Sequence, residues 1–180
     1  MADEEWVLNL EDNEWPKTTI DHDRKIVRAI VIDDDGYFYY VSVNRDDEFG
    51  KAMLIETAGG GMEAGKDPDT AIMRELKEEL GAEADIICRI GVVSDYYNLI
   101  HRHNINQYYL CRAVSFGEKH LTRQETEDFH LATLKLKYSD ALAEYEKCSC
   151  SRLGRLLANR EISVLQKAGD IIQSGSKDHI

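Results

Sequence analysis

Hydrophobic and polar residues alternate along several short stretches of this chain and recur at helical spacing elsewhere. From Arg24 to Ile32 the alternation predicts a strand. Asp33-Asp34-Asp35-Gly36 then signals a turn, and Tyr37 to Val43 reads as the returning strand of a hairpin. The aspartates of that turn lack the rest of an EF-hand ligand set, so a plain turn is the reading. Residues 52–57 predict a short strand leading into a glycine run. Ala84 to Ser94 and Ile105 to Phe116 predict two more strands with a loop over 95–104, and His130 to Leu136 another. Ile72, Met73, Leu76 and Leu80 form one helical stripe that would face a core. Residues 138–147 and 159–173 also read as helices. Residues 1–23 are polar and irregular, with Trp6 and Trp15 as docking points. They read as an edge strand, a dimer arm, or a tail folded over the domain. The mixture predicts a sheet flanked by helices.

The helix around Ile72 carries more than its apolar stripe. Asp67 fits its N-cap, Pro68 the first helical position and Gly81 the C-terminal cap. Residues three and four apart share a helix face, so Glu75, Glu78 and Glu79 cluster within one turn. Like charges at this spacing destabilise a bare helix by roughly 0.2–0.5 kcal/mol per pair. A hard divalent cation reverses that sign, because Mg²⁺ takes oxygen ligands and is shared between carboxylates and substrate phosphates. Upstream, Gly59, Gly60, Gly61 and Gly65 permit close ligand approach, and bare amides there can bind phosphate oxygens. A solvated acidic face and an ordinary glycine turn explain each feature taken separately. Their combination at fixed spacing points to diphosphate chemistry.

Residues 60–82 resemble the Nudix box, G-x5-E-x7-R-E-U-x-E-E-x-G-U, where U is apolar. Gly60, Arg74, Glu75, Leu76, Glu78, Glu79, Gly81 and Ala82 fall in place, while Lys66 occupies the slot of the first glutamate. The resemblance implies an α/β fold, an α/β/α sandwich with a mixed β-sheet and flanking helices. It would span residues 1–180 as one domain, with 1–23 as an N-terminal arm and 138–180 holding C-terminal helices. It implies hydrolysis, dependent on Mg²⁺ or Mn²⁺, of the diphosphate linkage in a nucleoside diphosphate joined to another moiety X. Nucleoside triphosphates, ADP-ribose and nucleotide sugars all have that form. Carried over by position, Glu75, Glu78 and Glu79 are the metal ligands, with Glu75 also the first candidate for the base. Arg74 orients one of these carboxylates, and Gly60 and Gly61 lie where the loop meets metal and phosphate. Lysine at position 66 cannot pair with Arg74. Glu63 or Asp67 would substitute for the missing glutamate, Lys66 would touch a substrate phosphate, or Lys66 is simply exposed. The same departure motivates a second reading, a Nudix-like domain that senses a nucleotide without turning it over.

Outside the box, residues 121–129 resemble the acidic loop of many Nudix hydrolases. Glu125 and Glu127 there would supply a further metal ligand or base, against the plainer reading of an acidic surface loop. Tyr97 lies about where the family selects substrate and would stack on a nucleobase, against simple packing. His101-Arg102-His103 offers phosphate contacts or a solvated basic loop.

Composition narrows the partners. A net charge of −12 argues against a nucleic-acid polymer, which needs basic surface, and leaves a small phosphorylated molecule open. No apolar run reaches the roughly 18 residues of a membrane span, and the acidic N-terminus is unlike a secretory signal. Cys88, Cys111, Cys148 and Cys150 lack zinc spacing and fit free thiols in a reducing cytoplasm. A homodimer is compatible with the family resemblance, though no segment argues for one.

Overall fold

The computed structural model describes residues 5–175. Its strands are β1 (Trp6–Leu10), β2 (His22–Ile32), β3 (Phe38–Asp47), β4 (Gly50–Glu56), β5 (Ala58–Gly61), β6 (Ala82–Tyr97), β7 (Arg102–Phe116) and β8 (Ala132–Leu136). Its helices are α1 (Pro68–Leu80), α2 (Arg123–Glu127), α3 (Tyr138–Cys148) and α4 (Arg152–Gly175). The main sheet order is β1-β6-β7-β2-β3-β4, with β5 beside β2 and β8 beside β3. The β1–β6 and β2–β7 pairs are parallel and the others antiparallel, so the sheet is mixed. Helix α1 covers one face, where Ile72, Leu76 and Leu80 pack on Val27, Ala29, Val31 and Tyr109. Helices α3 and α4 cover the other, over Ile30, Tyr40, Tyr108 and Leu110. The result is the expected sandwich.

The β2–β3 hairpin decides where the site forms. Asp33 Oδ1 accepts the N–H groups of Asp35 and Tyr37 at 3.0 and 2.9 Å, and Gly36 takes φ +78° in the turn. Beyond it the two strands stay paired only at Val31↔Tyr39 and Ile32↔Phe38. They then part. β2 continues with β5, from Ala29↔Ala58 to Ile26↔Gly61, while β3 continues with β4. The wedge between them is open.

Three elements depart from the sequence expectation. The loop foreseen over 95–104 is a tight reversal, a single 3-10 turn at Asn98–Ile100 between two long strands. Asp12 holds it from far away in sequence: Asn98 N–H donates to Asp12 Oδ2 at 2.7 Å, and its amide donates to the carbonyls of Asp12 and Trp15. Helix α4 begins at Arg152 rather than near 159. Gly154 looks like a helix breaker, yet a Cβ there would stand 1.6 Å from the Cys148 carbonyl, so glycine permits the close α3–α4 approach. The acidic segment 121–129 contains a short helix whose Thr122 and Glu125 form a reciprocal capping box.

Gly81 shows why the box helix ends in glycine. It sits at φ +65°, its N–H reaches back to the carbonyls of Leu76 and Lys77, and a Cβ would stand 2.2 Å from the Gly117 carbonyl. Gly81→Ala is expected to cost about 2 kcal/mol or more, from left-handed backbone strain plus that clash. Urea unfolding followed by circular dichroism reads the loss.

Candidate active site

The wedge between β2 and β3 opens into a cavity of about 460 Å³. Strands β2, β3 and β7 supply its floor, Gly59 and Gly60 one wall, α2 and the segment after it another, and α4 the back. A volume of this size suits a small molecule.

One side of the cavity is acidic. Glu79 reaches it from α1 and is only 8% exposed, and its Oε2 accepts the Gly59 N–H at 3.0 Å. Burial pushes its carboxyl up to about 8; the Gly59 bond opposes the shift, and the charges of Glu75, Glu125 and Glu56 reinforce it. Glu75 lies one turn earlier and is 9% exposed. Burial raises its proton affinity too, Arg74 partly offsets this, and Glu78 and Glu125 add to it. A Cβ at position 60 would stand 2.7 Å from the Glu75 carboxyl carbon, so only glycine leaves room for that carboxylate.

The other predicted residues fall as follows. Arg74 Nη2 donates to Glu75 Oε1 at 2.9 Å, and its Nε lies 3.7 Å from Glu78. It therefore ties two of the three helix carboxylates together and faces a shallow groove beside Lys66 and Glu63 rather than the cavity. Glu78 is half-exposed. Among the described residues, no three His, Cys, Asp or Glu side chains are already arranged to hold an ion. Gly61 does not line the cavity but lies under Arg24, whose Nη2 would be 3.0 Å from a Cβ there. Glu125 lines the cavity, and its capping bond to Thr122 N–H engages Oε2. Glu127 is turned away and pairs with Arg123 at 2.7 Å, because two residues along a helix rotate its direction by about 200° from that of Glu125. Tyr97 lines the cavity but is buried, with its hydroxyl taking a bond from Arg160 and its ring under the Arg102 guanidinium. No open face for a nucleobase remains on that side. Lys66 is exposed, and Asp67 is committed to capping Thr70, so of the two local substitutes only Glu63 bears electrostatically on Arg74.

The opposite side is basic. Five of the chain's eleven arginines line the cavity and, among the described residues, no lysine does. Arg24 and Arg28 project from one face of β2, Arg45 from β3, Arg102 from β7 and Arg160 from α4. Arg160 is fully buried and neutralised, donating to Asp95 at 2.8 Å and to Glu161 at 3.0 Å. Tyr108 also donates to Glu161, and Asn106 links Asp95 to Arg28. This network fixes the rear wall.

The comparisons with known proteins decide the family. A family model described as the NUDIX domain matches residues 22–145. The chain belongs to the NUDIX family. It stands with the Nudix-type hydrolases. A NUDIX hydrolase from Nitrosomonas europaea superposes with a TM-score of 0.57 at 17% identity, covering 68% of this chain and 78% of that one. The E. coli ORF135 protein gives 0.56 at 20% identity, covering 84% and 92%. A MutT NUDIX hydrolase from Burkholderia pseudomallei gives 0.50 at 21%, covering 66% and 86%. At these identities the likeness is one of fold. Comparison with curated proteins finds no match in sequence.

Seen as a Nudix protein, the chain keeps its box on α1 and the turn before it. What the motif did not reveal is the arginine wall. Alternation along β2 was a usable signal for Arg24 and Arg28, since residues two apart share a strand face. Asn104 and Arg45 carried no local signal, because strand pairing brings them in.

Proposed function

We propose that this Nudix protein hydrolyses the diphosphate linkage of a nucleoside diphosphate joined to a second moiety, with Mg²⁺ or Mn²⁺ held by Glu75, Glu78 and Glu79. The observation that carries this reading is the crowding of buried carboxylates at the glycine end of an arginine-lined cavity. Glu75 and Glu79 are hard oxygen donors whose proton affinity is raised first by burial and then by neighbouring carboxylates, Glu78 and Glu125 for the one and Glu75, Glu125 and Glu56 for the other, and a divalent cation would relieve that repulsion. The donor set therefore fits the metal, and Glu78, only loosely paired with Arg74 at 3.7 Å, would be the third carboxylate to hold it. When bound, the ion would neutralise the diphosphate, polarise phosphorus and lower the pKa of a coordinated water.

The chain's own residues supply the rest. Arg74 holds Glu75 Oε1 and so orients the carboxylate toward the space that Gly60 leaves clear. The Gly59 N–H fixes Glu79. Glu125 faces the same space with Oε1 outside its capping bond, which suits it to accept the proton of the attacking water. Arg24 and Arg28 flank the path and would take the charge that develops on the leaving phosphate. α4 and the segment after α2 line the remaining walls of the cavity.

A panel of nucleoside triphosphates, ADP-ribose, nucleotide sugars and diadenosine polyphosphates, incubated with Mg²⁺ or Mn²⁺ and resolved by product mass, tests the reading. The expected result is metal-dependent release of a nucleoside monophosphate, and EDTA abolishes it. Ligand-induced thermal stabilisation with no product from any member would instead favour a sensing domain.

A further inference from the structure

Successive residues of a strand point to opposite faces of its sheet. Arg24 of β2 and both Arg102 and Asn104 of β7 line the cavity, so their neighbours Asp23 and His103 project through the other face. Helix α1 covers that face at Val27, Ala29 and Tyr109, toward the far end of these strands. Near the strand ends Ser94, Tyr96 and His103 are half-buried and Asp23 is exposed. A small molecule can therefore reach them from solvent without entering the cavity.

Three of these side chains form one directed chain of hydrogen bonds. His103 Nδ1 lies 2.9 Å from Asp23 Oδ1, and His103 Nε2 lies 2.6 Å from Ser94 Oγ. A carboxylate only accepts, so Nδ1 carries the ring proton and Nε2 of the neutral imidazole is left as the acceptor. The Ser94 hydroxyl must then donate. The Tyr96 ring stacks on the imidazole at 4.5 Å and 17°, which holds the ring plane. The backbone already joins the three strands here, with Asp23 opposite His103 and Ile105 opposite Ser94, so strand pairing does not require the chain of side chains.

A hydroxyl donating to a histidine that a carboxylate orients is the arrangement of an activated serine nucleophile, whatever fold carries it. Histidine as the base removes any need for a metal. The surroundings limit what such a serine can attack. Ser94 lies within β6 between Asn9 of β1 and Ile105 of β7, so the sheet ladder engages its backbone on both sides. Charge developing on a carbonyl oxygen there is left largely to solvent, which confines the reaction to esters whose leaving group departs easily.

We propose that Ser94, His103 and Asp23 form a second, metal-independent site that hydrolyses small carboxylic esters with good leaving groups, such as aryl acetates. Ser94 Oγ adds to the ester carbonyl carbon as its proton passes to His103 Nε2, and Asp23 stabilises the imidazolium. The adduct collapses, the bond from carbon to the leaving oxygen breaks, and the proton follows that oxygen. Water attacks the acyl-serine by the same route, which releases the carboxylic acid and restores Ser94. Tyr96 is a positioning residue, acting through the ring of His103.

Release of nitrophenolate from p-nitrophenyl acetate, measured with EDTA present, tests the site, and peptide mass mapping of the quenched reaction locates the acetyl group. Wild-type protein is expected to exceed Ser94→Ala by about tenfold or more and to carry acetyl on Ser94. Surface amines and thiols react equally in both proteins and cancel. His103→Gln should fall to about the rate of Ser94→Ala. Asp23→Ala should cost about threefold or more, a smaller loss because that carboxylate is 65% exposed. Ser163→Ala, whose hydroxyl bonds its own helix at Asn159, should leave the rate intact. A wild-type rate equal to that of Ser94→Ala overturns the site, as do acetyl groups on other residues alone or a rate indifferent to His103→Gln and Asp23→Ala. Should His103→Gln fail to fold, wild type against Ser94→Ala, with the adduct map, decides alone. EDTA keeps this result separate from the diphosphate reaction, which it stops.

Discussion

Glu79→Gln is expected to lower metal-dependent hydrolysis by roughly 100-fold or more while raising the stability of the metal-free protein. Both effects have one cause. The Glu79 carboxyl lies 8% exposed under Gly59, near Glu75, Glu125 and Glu56, and burial pushes it up to about 8. Glutamine keeps an acceptor for the Gly59 N–H but removes the charge that would attract a cation. The pH dependence follows from linkage. In the unfolded chain Glu79 releases its proton near its ordinary value of 4.5; in the folded chain it holds it to about 8. Between those values the folded state binds a proton that the unfolded state does not, so this group's contribution falls as pH rises and levels off above about 8. The slope is at most about 1.4 kcal/mol per pH unit. Thermal melts in EDTA should show the stability difference between variant and wild type widening in favour of glutamine from pH 5 to pH 8, the ends of roughly that window. Added Mg²⁺ should stabilise wild type more than the variant. A variant that hydrolyses at the wild-type rate would remove Glu79 from the metal site.

The second large effect falls on stability. Arg160 is fully buried and donates to Asp95, Tyr97 and Glu161 at 2.8, 2.8 and 3.0 Å. Arg160→Leu leaves two carboxylates buried with their cation gone, and is expected to cost about 3–5 kcal/mol. Arg155→Leu removes a shorter ion pair, to Glu14 at 2.7 Å, yet the Arg155 side chain is 43% exposed, so about 1 kcal/mol or less is expected. Urea midpoints of the two variants, compared at equal m-value, separate the cases. Equal losses would show that the rear wall is not held by charge.

Local signals in the sequence accounted for much of this. The capped helix α1, its carboxylate spacing, the β2–β3 turn and the sandwich class all rest on patterns that span a few residues. What escaped depends on long-range pairing. The turn at Asn98–Ile100 looked like a loop because Asp12 and Trp15, its partners, lie far upstream. The start of α4 was hidden by Gly154, whose role is close packing and not helix breaking. Thr122-x-x-Glu125 is a legible capping signal, and reading it as such would have turned Glu127 outward in advance. Arg160 carries no local mark of its role, since nothing in its own helix ties it to Asp95. The parallel pairing of β2 with β7, which sets Arg24 opposite Asn104, left no trace in either strand alone.

The Asp12–Asn98 clasp also bears on how this protein can be cut. The family model ends at residue 145 and begins at 22, inside both the clasp and α4. Trimming the gene to those limits would strip the reversal between the two longest strands of its buried support from Asp12 and expose the underside of the sheet that α4 shields. Such a fragment is expected to be insoluble or molten. The recognisable module of this chain is thus smaller than the piece that must fold together.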